Sequence, residues 1–159
     1  MKILLFSDSH GASQNIIKAI KKNKNVDAVI HLGDFTRDML SVMEQFKNIE
    51  YEIVNGNNDW SREFPSEKIL VYEGKKIFIT HGHHYNVKNE YQRIINKGKA
   101  VNAEAVFFGH THTPEEMFSD GMLILNPGSI GNLSSAKRTY CSIEIREDRF
   151  WPGFEYIDY

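Results

Sequence analysis

The chain has 159 residues, 41% of them hydrophobic and 12% aromatic, which is the size and composition of one soluble domain with a real core. A formal net charge of -2 gives no global pull toward nucleic acid or anionic lipid, and no apolar run approaches the length of a membrane span or of a secretory leader. We therefore expect a cytoplasmic protein, in which the lone Cys141 excludes an intramolecular disulfide and serves core packing.

KILLF at 2–6 is a short apolar run between polar residues, as in a strand buried on both faces. A helix is expected from about 12 to 24. It sets Ile16, Ile17, Ala19 and Ile20 against a wet face of Lys18, Lys21, Lys22 and Lys24, a solvated stripe rather than an RNA patch. DAVIHL at 27–32 is the next strand, and TRDMLSVMEQF at 36–46 the next helix. EYEIV at 50–54 is a third strand, and KILVYEG with KKIFIT at 68–80 a hairpin turning at Gly74. A helix over 88–101, weakened near Gly98, leads into AVFF at 105–108. EEMFS at 115–119, MLIL at 122–125 and TYCSIEI at 139–145 are further strands. The aromatic tail FWPGFEYIDY is expected to cover the edge of its own core, with a homodimer contact as the alternative. Alternating β and α elements followed by hairpins and meanders predict an α/β fold around a mixed sheet or a pair of sheets.

In such folds ligands gather beyond the carboxyl ends of the strands. Five consecutive predicted strand ends here finish in Asp, Asn or His, mostly with a glycine beside them: Ser7-Asp8-Ser9-His10-Gly11, Gly33-Asp34, Asn55-Gly56-Asn57-Asn58-Asp59, His81-Gly82-His83 and Gly109-His110-Thr111-His112. A mixed set of carboxylate, amide and imidazole suits Mn, Fe, Zn, Ni or Co better than Ca or Mg, and points to a pair of metal ions. With no cysteine in the set, a purely structural zinc site is disfavoured.

These ordered motifs, D-S-H, G-D, G-N-N-D, H-G-H and G-H-T-H, resemble those of the calcineurin-like metallophosphoesterases. The short chain and the NPGSIG stretch at 126–131 are similar to the small bacterial and archaeal phosphodiesterase branch. The resemblance implies one domain over 1–159, an α/β fold that is a β-sandwich of mixed sheets flanked by helices. It also implies a first metal on Asp8, His10, Asp34 and His112 and a second on Asp34, Asn57, His81 and His110, with Asp34 as the bridge. The implied activity is phosphodiester hydrolysis by a bridging hydroxide on two divalent ions, Mn first, with Ni, Co, Zn or Fe as substitutes. A small phosphodiester is the expected partner. A retromer scaffold subunit resembles the same fold with ligands lost, so an inactive protein-binding module is the alternative; all seven ligand positions being filled favours the enzyme.

Where many family members carry a histidine after the asparagine ligand, this chain has Asn58, which cannot supply a full proton at pH 7. The expectation is a preference for acidic leaving groups, or proton delivery by water or His83. The Pro-Arg turn of relatives is missing after Gly131. His31 is expected to be a buried structural histidine, His84 to face solvent, Arg37 to be a surface arginine, and Asp59 to orient the Asn57 loop. NPGSIG is either a tight connection or a backbone passing close to the metals. Specificity is expected in the loops around Arg37, 60–65 and 134–138.

Overall fold

A computed structural model describes residues 1–61, 63–131 and 137–158. In chain order it contains β1 (Lys2–Phe6), α1 (Ser13–Lys22), β2 (Ala28–His31), α2 (Asp38–Gln45), β3 (Glu50–Ile53), β4 (Glu67–Tyr72) and β5 (Lys75–Thr80). A 3-10 turn (His83–Tyr85), α3 (Gln92–Ala100), β6 (Ala105–Phe107), β7 (Pro114–Ser119), β8 (Met122–Pro127), β9 (Arg138–Arg146) and β10 (Arg149–Ile157) follow. The strands form two five-stranded sheets of order β10-β9-β1-β2-β3 and β4-β5-β6-β8-β7. Strands β1, β2 and β3 are parallel in the first, and β5, β6 and β8 in the second, while the remaining pairs are antiparallel.

Both sheets are covered on both faces, which is why their central strands read as unbroken apolar runs. Alternate side chains separate into layers. Ile3, Leu5, Ile30, Ile77, Ile79, Phe107 and Cys141 fill the space between the sheets. Leu4, Phe6 and Val29 point outward to Ile16, Ile20, Met39 and Val42 of α1 and α2. Phe78, Val106 and Ile124 meet Ile94 and Ile95 of α3. Buried Gly98 lets α3 lie close, since a Cβ there would come within 2.5 Å of Val106 and 2.8 Å of Met122. The result is the expected sandwich of mixed sheets flanked by helices.

One expectation is corrected and another is made specific. The helix expected from 88 begins at Gln92, because Asn86 takes a left-handed φ of 57° and the chain bends through Asn89 N–H and Glu90 N–H bonds to its carbonyl. The aromatic tail is a full strand, β10, paired along β9. Pro152 and Gly153 disguised it in the sequence, but an edge strand tolerates a missing N–H. Phe150 and Phe154 pack on the inner core, so the tail covers its own domain. No described helix is long and apolar enough to cross a membrane.

Candidate metal centre

The parallel strands end along one rim of the sandwich, and the two sheets are stitched together there. Asp8 N–H donates to the Gly33 carbonyl (3.0 Å) within the first sheet and Gly109 N–H to the His81 carbonyl (3.0 Å) within the second, while His110 N–H crosses between them to Asp8 Oδ2 (3.0 Å). The NPGSIG backbone passes beside the same loops: Ile130 N–H reaches the Ser7 carbonyl (3.1 Å), while Gly131 N–H (3.2 Å) and Ser129 Oγ (2.8 Å) reach the Asp8 carbonyl. Of the two readings of that stretch, the close approach is the one the fold adopts.

Asp8, Asp34 and His81 form a buried floor, with His10, His110, His112, Asn57 and Asn58 above them at partly or fully exposed positions. One ligand atom from each of Asp8, His10, Asp34 and His112 falls within 4.8 Å of the others. His112 Nε2 lies 3.1 Å from Asp8 Oδ1, and His10 Nε2 lies 3.4 Å from His112 Nε2 and 3.9 Å from both Asp8 Oδ1 and Asp34 Oδ2. A second convergence surrounds His81 Nε2, with Asn57 Oδ1 at 3.1 Å, His110 Nδ1 at 3.1 Å and Asp34 Oδ1 at 3.4 Å. Asp34 faces both groups, one oxygen to each. All seven sequence-predicted ligands are thus brought together.

The chemistry of the donor set fits cations. His81 Nδ1 lies 2.8 Å from the Leu32 carbonyl, which can only accept, so Nδ1 carries a proton and Nε2 is the nitrogen turned toward the other donors of the set. Asp8 Oδ1 is buried with no hydrogen bond of proper direction among the described residues, although His112 Nε2 lies near it. Lone pairs crowded at about 3 Å repel one another unless a positive charge lies between them. Burial raises the Asp8 carboxyl, but neighbouring His112, His81 and Ser7 outweigh it and hold it at about 2. Burial, reinforced by His81, draws His110 down to about 4, whereas contact with Asp8 raises His112.

Backbone strain marks the same place. Asp8, His10, Asp34, His110 and His112 have φ between 46° and 69°. A left-handed L-residue costs about 1–2 kcal/mol, and such strain persists where surrounding structure over-determines it. Five of seven ligand candidates share it because each must turn back from a strand end toward one point.

The supporting shell is only partly as expected. Asn58 does not reach outward: its N–H donates to Asp34 Oδ1 (2.9 Å) and its Nδ2 to Asp34 Oδ2 (2.6 Å). Asp59 takes Asp34 N–H (2.8 Å), Gly56 N–H (2.8 Å) and Thr36 N–H (2.7 Å), pinning two loops together. His83 stacks on exposed His84 with centroids 3.9 Å apart, its Nδ1 is buried without a partner among the described residues, and burial lowers it to about 4. Sequence reading missed Ser7, whose hydroxyl donates to Asp8 Oδ2 (2.5 Å), and Asp38, which takes Ser9 Oγ (2.7 Å) and Gly11 N–H (2.8 Å). It also missed Asn126, whose Nδ2 donates to the Gly109 carbonyl (2.9 Å) and Thr111 Oγ1 (3.0 Å). A serine ending an apolar strand and an asparagine interrupting one were the available signals. Of the specificity loops, residues 62 and 134–136 lie outside the described residues.

His31 is buried and structural, its Nδ1 accepting from Gly33 N–H (3.2 Å) and its Nε2 facing Ser9 Oγ (3.2 Å). Burial lowers it to about 4 against the upward pull of Asp59, Asp8 and Asp38. An unfolded histidine titrates near 6.5, so as pH falls the unfolded chain takes this proton first. The cost is absent above about pH 6.5, and by pH 4 it approaches roughly 3 kcal/mol. In urea melts of metal-free protein between pH 7 and 4.5, His31→Gln is expected to lose less stability than wild type; parallel losses would refute the assignment.

Comparison with known proteins places the family and the fold. A family model described as calcineurin-like phosphoesterase superfamily domain matches residues 1–148. Phosphodiesterase MJ0936 of Methanocaldococcus jannaschii is 35% identical over 175 residues, covering 91% of this chain and 99% of the relative. Among solved structures, a Streptococcus pneumoniae protein described as a predicted phosphoesterase superposes with a TM-score of 0.82 at 28% identity, covering 98% of this chain and 88% of the other. Vps29 of Entamoeba histolytica complexed with Zn2+ gives a TM-score of 0.82 at 17% identity, covering 99% of both chains, which is a likeness of fold.

Proposed function

The chain belongs to the calcineurin-like phosphoesterase superfamily, and from that premise we propose that it is a phosphodiesterase working with two divalent ions, Mn first and Ni, Co, Zn or Fe as substitutes. The observation that carries the proposal is the division of Asp34, one oxygen turned to Asp8, His10 and His112 and the other to Asn57, His81 and His110. Asp8, His10, Asp34 and His112 would hold one ion, and Asp34, Asn57, His81 and His110 the other. When bound, the pair supplies an activated water as nucleophile and neutralises charge on the phosphoryl oxygens.

The chain's own groups do the positioning. Asp8 and Asp34 contribute the negative charge that two cations require, and burial keeps both carboxylates clear of bulk water. The Leu32 carbonyl fixes the His81 tautomer. Asn58 orients Asp34 through two hydrogen bonds, and is assigned as a positioning residue with no proton to give. His83, beside His81 and His110 with ring centroids at 5.4 and 6.1 Å, braces the rim where a phosphate oxygen would sit. With no imidazolium supplied at position 58, the leaving oxygen takes its proton from water.

The test is hydrolysis of bis(p-nitrophenyl) phosphate and diphenyl phosphate by metal-stripped protein titrated with each ion. We expect turnover that depends on metal, is greatest with Mn, and falls steeply for the more basic phenolate leaving group. Bound metal without turnover for any of the five ions would favour the second reading, a protein-binding module of the same fold.

A further inference from the structure

A large aromatic side chain lies in water beside the centre. Trp60 is 98% exposed, contributes nothing to the core, and follows Asn57, Asn58 and Asp59 directly. It borders a cleft of about 260 Å³ whose other walls include Phe35, Arg37 and Asn58. Asn58 joins the cleft to the centre through its bond to Asp34, and Phe35 sets its ring edge-on to His10 with centroids 5.1 Å apart. Two walls of the cleft, Asn58 and Phe35, therefore touch residues of the candidate centre.

We propose that this cleft seats the non-leaving arm of the substrate, and that the arm is a nucleoside whose base stacks on Trp60. The proposal rests on the phosphodiesterase reading and deepens it by naming a substrate class. The volume is below the roughly 300–1,000 Å³ of drug-sized sites, which suits one arm of a diester. Among its polar walls stand two aromatic rings, Phe35 and Trp60, and the Arg37 guanidinium, held 4.9 Å above the Phe35 ring, and this pairing of aromatic and cation favours a flat π system over an alkyl chain. Asp59 is already taken by three backbone donors and the Thr36 hydroxyl, so its carboxylate is engaged elsewhere and leaves Arg37 to face the ligand. Arg37 is the cation among the described residues lining the cleft, as a phosphate-bearing ligand requires.

Two measurements test this. The first needs neither metal nor turnover. The chain has two tryptophans, so in Trp151→Phe the remaining indole is Trp60. In metal-free Trp151→Phe, AMP is expected to quench fluorescence saturably and ribose 5-phosphate to leave it unchanged, and adding Arg37→Ala to weaken AMP binding about ten-fold. Equal responses to the two ligands, or quenching linear in AMP, would overturn the proposal. The second compares thymidine 5'-(p-nitrophenyl phosphate) with methyl p-nitrophenyl phosphate, which share a leaving group. The ratio of their kcat/KM values is expected to drop about ten-fold in Trp60→Ala and to hold in Trp151→Phe. An unchanged ratio in Trp60→Ala, or a preference that bis(p-nitrophenyl) phosphate shares in full, rejects the nucleoside assignment. Absence of turnover with every substrate would sink the hydrolase reading alone, since the fluorescence result still decides what the cleft holds.

Discussion

Asp34→Asn is expected to lower kcat/KM for metal-supported hydrolysis of bis(p-nitrophenyl) phosphate by about 1,000-fold or more, the effect of withdrawing several kcal/mol of transition-state charge stabilisation. The carboxylate is 1% exposed and its two oxygens face different ligand groups. An amide of the same shape keeps one acceptor, removes a charge, and turns an NH2 toward a lone pair or a cation. It also sets that NH2 against Asn58, whose N–H and Nδ2 both donate to the native carboxylate. Steady-state kinetics with metal counted per chain, alongside circular dichroism, separates loss of the centre from loss of the fold. A folded variant that keeps activity within ten-fold of wild type would remove Asp34 from the bridging role.

Gly56→Ala is expected to cost about 3 kcal/mol of stability and to weaken metal binding in the same variant. A Cβ at this position would stand 2.2 Å from Asp34 Oδ1 and 2.6 Å from the Asp34 backbone nitrogen. The side-chain oxygen cannot swing away cheaply, because the Asn58 bonds hold it, and the backbone nitrogen is held by Asp59. Overpacking against fixed atoms costs about 1–3 kcal/mol, and more where nothing can yield. Gly74→Ala is the reference: open space surrounds it, so its φ of 77° leaves only the left-handed cost of about 1 kcal/mol. Urea denaturation of the two metal-free variants, followed by Mn titration of each, measures both effects. Equal stability of the two would mean that the Asp34 and Gly56 loops separate freely.

The supporting residues divide according to whether their partners are close in sequence. Asp59 reaches Gly56 three residues back, and an acidic residue capping a Gly-Asn turn can be read from spacing alone. Its bonds to Asp34 and Thr36 span more than twenty residues, and nothing along the chain announces them. Asn58 is the instructive case. It stands where the resemblance places a histidine in many family members, whereas the fold turns its amide back onto Asp34. The start of α3 and the identity of β10 were obscured for a related reason. A local pattern starts the helix at 88 rather than Gln92 and gives no strand signal around Pro152 and Gly153, but the left-handed turn at Asn86 and the edge position that decide each are set by neighbours.

By itself the sequence determined the kinds of element and the donors. Apolar runs with two covered faces appear as unbroken strands, and a ligand must be written in the chain as Asp, His or Asn, so both are local properties that survive without coordinates. Tertiary structure alone decided the convergence. It put the carboxyl ends of two sheets on one rim, forced Asp8, His10, Asp34, His110 and His112 into left-handed backbone, and left Trp60 facing water beside them. Distances between atoms on different strands depend on sheet order and register, which arise from pairing and packing across the whole domain rather than from any one stretch of it.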